Sequence, residues 1–309
     1  MESTSSEVHG KSDGALRGSA FAKAAVRSID IGHSQVAYRC FGSGPDLVFI
    51  HGWPLSAATF RDVATLLSAR FRCHLFDLPG AGDTRIGPAT PLDLRAHVAS
   101  ARATVGELGL GRYALVAHDS GGFVARHLAA EDARVVALVL GNTEIPGWHP
   151  PVIRDLQRVL RLPFGGLLLR QLMRSRAFRR SSFGFRPCFQ NVDHIDGEFH
   201  ELMVAPYLAS PARMESSLAL VRSLDHRWID GLSEVHARIR APVQLLWGER
   251  DRVFPLELAR AMLAQFPSAT LESLPLGKTF VHEEQPAAFA ALAARFLESA
   301  FDQGARASA

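Results

Sequence analysis

The sequence predicts an α/β protein, a doubly wound and mostly parallel sheet with a helical cap inserted after the sixth strand. Three observations lead there. Short apolar runs bounded by turn residues recur at 47–50, 73–76, 113–116, 135–140 and 243–247, as strands buried on both faces require. Helical stretches around 57–70, 92–108, 121–131, 256–265 and 286–300 fall between them, giving the β-α alternation of a parallel sheet. Residues 147–237 break that alternation, with helical patterns at 152–160, 166–178 and 213–224 and no clear buried strand. An insertion at that point would lie over the carboxyl ends of the strands, where open α/β sheets bind ligands.

Along the chain, residues 1–24 are polar and rich in Ser and Gly, and read as a disordered tail. Residues 25–146 form the first part of the core, opened by a hairpin from the alternating segments 26–31 and 35–41. The helical cap spans 147–237, the second part of the core 238–302, and a short tail 303–309.

Composition narrows the function classes. A hydrophobic content of 47% and a mean hydropathy near zero suit a soluble globule, and no apolar run is long enough to span a bilayer. The opening Met1-Glu2-Ser3-Thr4 lacks the basic start and apolar stretch of a secretory signal. Cys40, Cys73 and Cys188 are odd in number and far apart, which suggests reduced thiols in a cytoplasmic protein. Arginine is the default cation: nine lie between Arg154 and Arg186, against three lysines in the whole chain. With a net charge of only +3 and no interleaving of aromatic and basic residues, a solvated face is favoured over an acidic-partner or anionic-membrane surface, and no nucleic-acid partner is expected.

Residues 117–122, Ala-His-Asp-Ser-Gly-Gly, carry the chemistry. A strand that turns sharply into a helix and lifts one side chain above the sheet needs small residues two before and two after it. Asp119 as the raised residue has Ala117 behind and Gly121 ahead, whereas Ser120 would put His118 in the cramped position. The choice matters. A serine attacks acyl carbons, whereas a carboxylate can displace a leaving group from an sp³ carbon and become an enzyme ester. The bland alternative is a helix-capping aspartate.

Four further motifs follow in order: His51-Gly52-Trp53-Pro54, Asp77-Leu78-Pro79-Gly80-Ala81-Gly82, Trp247-Gly248-Glu249-Arg250-Asp251 with Pro255, and Phe280-Val281 with Glu283, Glu284 and Pro286. With the elbow at Asp119 they make the chain resemble, over residues 25–300, an α/β-hydrolase of the branch holding epoxide hydrolases and dehalogenases. The resemblance implies the α/β-hydrolase fold and an Asp119 nucleophile. It also implies an oxyanion hole built from the backbone N–H groups of Trp53 and Ser120. Asp251 would orient and charge-stabilise a histidine base. Asn142 and Glu144 follow the strand after which some relatives place that acid, but Asn142 carries no charge and Glu144 sits two residues late. No cofactor and no metal are implied.

The histidine of that pattern is missing. Counting back four residues from Glu283 lands on Thr279, which cannot accept a proton near neutral pH. His282, three residues on, is the candidate substitute base, with a bystander role as the alternative. Tyr207 is the one tyrosine in the cap and could protonate an opening epoxide oxygen, or simply pack. Trp148 and His149 stand where they could line the pocket. The expected activity is hydrolysis of an epoxide or organohalide through a covalent ester, on a small apolar organic substrate. Two alternatives stay open: a non-hydrolytic relative that binds a ligand, forms an adduct or performs a proton transfer or cyclisation because Thr279 removed the base, and an esterase using Ser120. The chain would work as a monomer or a homodimer.

Overall fold

The computed structural model describes residues 19–306. Nine strands form one sheet: β1 (Arg27–Asp30), β2 (Ser34–Gly42), β3 (Asp46–Ile50), β4 (Arg72–Phe76), β5 (Arg85–Ile86), β6 (Tyr113–His118), β7 (Val135–Gly141), β8 (Val243–Gly248) and β9 (Ala269–Leu274). Their order is β1-β2-β4-β3-β6-β7-β8-β9, with β5 paired to β2. The antiparallel pairs are those of β2 with β1, β4 and β5; in the order from β4 to β9 every pair is parallel.

Alternation along the central strands explains why both faces are covered. On β6, Tyr113, Leu115 and Ala117 enter one apolar cluster while Ala114 and Val116 enter the other. Val48 and Ile50 on β3 split from Leu47 and Phe49 in the same way. Side chains point to opposite faces at every step, so a strand that is apolar throughout needs helices on both sides.

Several boundaries differ from expectation. β9 escaped the sequence reading because its burial is partial along most of its length and Thr270, Glu272 and Ser273 interrupt the apolar run. An edge strand needs only one well-buried face. The two-residue β5 also escaped, so the helical insertion follows the seventh strand, not the sixth. Residues 1–18 lie outside the described residues, but Ser19–Lys23 forms a helix with Phe21 buried, which corrects the disordered reading of that stretch. The Arg39 guanidinium covers the Phe21 ring at 4.5 Å and helps seat it. At the other end the helix Pro286–Arg306 runs through the expected tail at 303–306.

The insertion between β7 and β8 holds the helices Pro151–Leu160, Gly165–Arg174, Arg176–Arg179, Ala205–Ala209, Pro211–Ser223, His226–Asp230 and Leu232–His236. The pattern at 166–178 is broken at Ser175, whose extended backbone and side-chain oxygen cap the next helix through the Phe178 N–H. The insertion is tied to the core beneath it through Phe280, ringed by Phe185, Phe189 and Phe199 at centroid distances of 6.4, 5.3 and 5.7 Å. Phe280→Ala is therefore expected to cost about 3–5 kcal/mol of stability. A shift in the urea midpoint measures it, and a change below about 1 kcal/mol would mean that this aromatic cluster does not join the two parts.

Candidate active site

The site is built at the carboxyl end of β6. Asp119 ends the strand with φ 51° and ψ −139°, a conformation rare for a residue with a Cβ, and Ser120–Glu131 begins as a helix immediately after. Close approach enforces the turn. A Cβ on Gly121 would stand 2.2 Å from the Ile50 carbonyl oxygen, and one on Gly52 would stand 2.4 Å from Asp119 Cβ. Gly122 faces Thr143 Oγ1 at 2.1 Å in the same sense. These glycines let three segments meet where a side chain would hold them apart.

At the elbow, Asp119 Oδ1 accepts from the Trp53 N–H at 3.0 Å and the Ser120 N–H at 2.6 Å. The same Trp53 N–H stands 3.0 Å from Ser120 Oγ. The Asp119 backbone is fixed as well: its N–H donates to the Asn142 carbonyl at 2.9 Å, and its carbonyl accepts from Gly122 at 2.7 Å. Asp119 is half-buried and contributes to the wall of an apolar cavity shared with Trp53, Ser120, Glu144, Trp148 and His226. Burial, and then the charge of Glu144, push its carboxyl up to about 7 against the pull of the two N–H groups.

Glu144 was weighed in sequence only as a misplaced acid. In the fold it is a second carboxyl group in the same cavity, half-buried, and burial raises its pKa. The fully buried Arg126 donates to its backbone carbonyl at 2.9 Å. Thr143 Oγ1 lies 2.7 Å from Glu144 Oε2 and 2.8 Å from the Asp119 carbonyl oxygen. The hydroxyl has one hydrogen. That hydrogen is shared between the two acceptors while Glu144 is ionised, and a proton taken up by Glu144 relieves the competition by making the carboxyl the donor to the threonine. The available signal was the segment Asn142-Thr143-Glu144, three polar residues at the carboxyl end of a buried strand.

Asp251 is sealed by donors: Asn142 Nδ2 at 2.6 Å, the Val253 and Phe254 N–H groups at 2.7 and 3.1 Å, and Thr279 Oγ1 at 2.8 Å. Burial raises its pKa to about 6 in spite of them. Asn142 matters here as an organiser, since its Oδ1 also accepts from the Gly248 N–H at 3.0 Å and its own carbonyl from Asp119. Thr279 thus fills the position beside the acid with a hydroxyl. Cys188, brought in from the insertion by the Phe280 N–H bond to its carbonyl at 3.0 Å, places its thiol against Thr279 and near both aspartates. Burial pushes that thiol up, so it stays protonated.

The structure does not bring His282 to this group. Its Nε2 lies 2.8 Å from Thr59 Oγ1, and its ring is fully buried among Phe60, Phe289 and His118. Burial and the neighbouring His118 hold it well below its usual pKa. This corrects the expectation of a substitute base: the helical turn Val281–Glu284 carries the ring into the core, behind the elbow. His118 lies there too, bonded to the Thr279 carbonyl at 2.8 Å and pushed down to about 4 by burial.

Tyr207 also sits apart from Asp119. It lines a smaller neighbouring cavity with Trp53 and Ser120, pairs with Ser217, and is pushed up to about 12 by burial. The Trp53 indole donates to the carbonyl and hydroxyl oxygens of Ser217, both at 2.9 Å, so this polar chain pins the insertion to the elbow loop. Trp148 lines the Asp119 cavity with its indole N–H on the Val253 carbonyl at 2.7 Å, while His149 turns to Asp230 at 2.8 Å.

Comparison with known proteins agrees with the fold. A family model described as "Alpha/beta hydrolase family" matches residues 47–292. Haloalkane dehalogenase 2 of Mycobacterium tuberculosis is 29% identical over 278 residues, covering 86% of this chain and 92% of that protein. A pimeloyl-(acyl-carrier protein) methyl ester esterase of Chromobacterium violaceum is 27% identical over 240 residues, covering 76% and 87%. Among solved structures, the epoxide hydrolase CorEH superposes with a TM-score of 0.76 at 20% identity, covering 90% of this chain and 99% of that one.

Proposed function

The chain belongs to the alpha/beta hydrolase family, and from that premise we propose that it hydrolyses a small apolar epoxide or organohalide through an ester on Asp119. The observation that carries this reading is the elbow. One oxygen of Asp119 is held by two backbone N–H groups at a strained turn, and the residue opens on an apolar cavity. With Oδ1 fixed, attack on an sp³ carbon falls to Oδ2. The N–H pair that steadies the carboxylate would then hold the oxyanion formed when water attacks the ester carbonyl.

Glu144 supplies the proton chemistry that Thr279 lacks. With an epoxide, Asp119 Oδ2 forms a bond to carbon, the carbon–oxygen bond of the ring breaks, and Glu144 gives its proton to the freed oxygen. Water next adds to the ester carbonyl while the Glu144 carboxylate takes its proton. Collapse of the adduct expels the diol oxygen, which takes up the hydroxyl proton of the adduct, and both carboxyl groups return to their starting states. A halide leaves without needing a proton, so on that route Glu144 first releases its proton to solvent and its carboxylate then takes one from the attacking water, the net products being alcohol, halide and one proton.

The esterase relative suggests a second reading with Ser120 as nucleophile. Against it, Ser120 Oγ accepts from the Trp53 N–H, its side chain is hydrogen-bonded to the Asp119 carboxyl, and no histidine reaches it among the described residues.

Intact mass and product analysis with styrene oxide and 1-bromobutane test the proposal. Turnover or a single adduct mapped to Asp119 supports it; neither product nor adduct overturns it. A gain of function offers a further check. Histidine at 279 needs the space that Cys188 occupies. In a Glu144→Gln background, Thr279→His with Cys188→Gly is expected to speed release of the bromobutane adduct by about 10²–10⁴-fold. An unchanged release rate, measured by the decay of adduct mass, would count against an ester lying between the elbow and Asp251.

A further inference from the structure

The insertion carries a surface that the proposed chemistry does not use. Among the described residues, exposed large hydrophobics are scattered singly over most of the molecule but crowd into one stretch: Leu162, Phe164, Leu167, Leu168, Leu172 and Phe183. Phe164 and Phe183 are 82% and 83% exposed. Phe164 is also held in the left-handed region at φ 61°, which turns the chain sharply into the helix Gly165–Arg174. Single exposed apolar side chains need no explanation, whereas a cluster of this size marks a contact surface.

Charge identifies what the surface meets. Residues 151–190 hold nine arginines and a single acidic residue, Asp155. Arg158 pairs with Asp155, and Arg176 and Arg180 pair with Asp196 from the following segment. Arg154, Arg161, Arg174 and Arg186 are exposed and form no ion pair with an acid among the described residues. Exposed leucines and phenylalanines interspersed along the chain with exposed arginines match the two layers of a bilayer surface, with apolar side chains in the acyl boundary and guanidinium groups at anionic headgroups. A second copy of the chain fits less well, because a twofold contact would set this basic face against itself. Among the described residues no helix is long and apolar enough to cross a membrane, so the contact would lie in the surface plane.

We propose that the tip of the insertion, from Leu162 to Phe183, docks on anionic lipid bilayers. The site beneath it is lined on one side by Ile153 of the helix Pro151–Leu160, which runs directly into this tip. Membrane-dissolved apolar molecules would therefore be presented close to the cavity.

Co-sedimentation with vesicles tests this independently of any activity. The full chain is expected to pellet with vesicles of phosphatidylglycerol mixed with phosphatidylcholine, to bind pure phosphatidylcholine weakly, and to release as salt is raised. Leu167→Glu/Leu168→Glu, and separately Arg161→Glu/Arg174→Glu, should each reduce anionic-vesicle binding on the order of tenfold or more. All four side chains are exposed, so the thermal midpoint should hold. Absent vesicle binding overturns the proposal, as does equal binding to both lipid compositions. Concentration-dependent dimers that Leu168→Glu dissolves would assign the face to a second copy, and tight binding to a duplex oligonucleotide in place of lipid would assign it to nucleic acid. Either result also overturns it.

Discussion

Asp119→Asn is expected to abolish both adduct formation and turnover while making the protein more stable at pH 8. Loss of a covalent nucleophile costs on the order of 10⁶ in kcat. The asparagine oxygen can still accept from Trp53 and Ser120, so the elbow should keep its shape. The stability gain follows from the raised pKa. An aspartate that ionises near 3.8 in the unfolded chain and near 7 in the fold leaves the native state holding more protons between those values. Native stability therefore falls as pH rises from about 4 to about 7 and stays at the lower level above that. A neutral isostere removes the penalty, so the melting curve of Asp119→Asn should show a higher midpoint at pH 8 and a flatter pH dependence. Sites tuned for chemistry commonly carry such a cost. If p-nitrophenyl acetate hydrolysis survives the substitution intact, the chemistry passes to Ser120. If the midpoint falls instead, the carboxylate is structural.

Glu144→Gln is expected to separate the two substrate classes. Glutamine retains a donor for Thr143 but gives up no proton, so reaction with styrene oxide should fall by about 10²–10⁴-fold. Alkylation by 1-bromobutane needs no acid and should proceed, leaving an ester that persists because no base activates water. A mass spectrum showing that stable adduct alongside lost epoxide turnover is the expected result. Equal loss on both substrates would reduce Glu144 to a structural part of the pocket. Unaltered activity on both would remove it from the mechanism while leaving Asp119 in place. In the wild-type protein, the epoxide rate should follow a bell-shaped profile whose limbs belong to the Asp119–Glu144 pair, since the charge of one carboxyl group raises the other.

What could be read from the chain alone was set by local physics. Apolar runs and their spacing gave the sheet and its helices, because a strand buried on both faces leaves no polar positions. Steric demand around the elbow singled out Asp119, and it is Asp119 that adopts the positive φ, with Gly121 against the Ile50 carbonyl. Counting back from Glu283 put Thr279 where the resemblance implies a histidine, and the Thr279 hydroxyl lies on Asp251. β9 was lost because partial burial dilutes its pattern.

The rest depended on distances between residues far apart in sequence. Three residues along from Thr279, His282 was a plausible base by position; one short helical turn put it into the aromatic core instead. Cys188 carried no sequence signal for its place beside Thr279, because an inserted segment docks there through a backbone hydrogen bond. Glu144 read as misplaced by two residues, yet the chain leaving β7 bends its carboxyl group into the same cavity as Asp119. Residue type and spacing determine which side chains can form elements and which can do chemistry. Only the fold decides which of those chemically able groups share a solvent-poor space, since that is fixed by where loops and insertions come to rest.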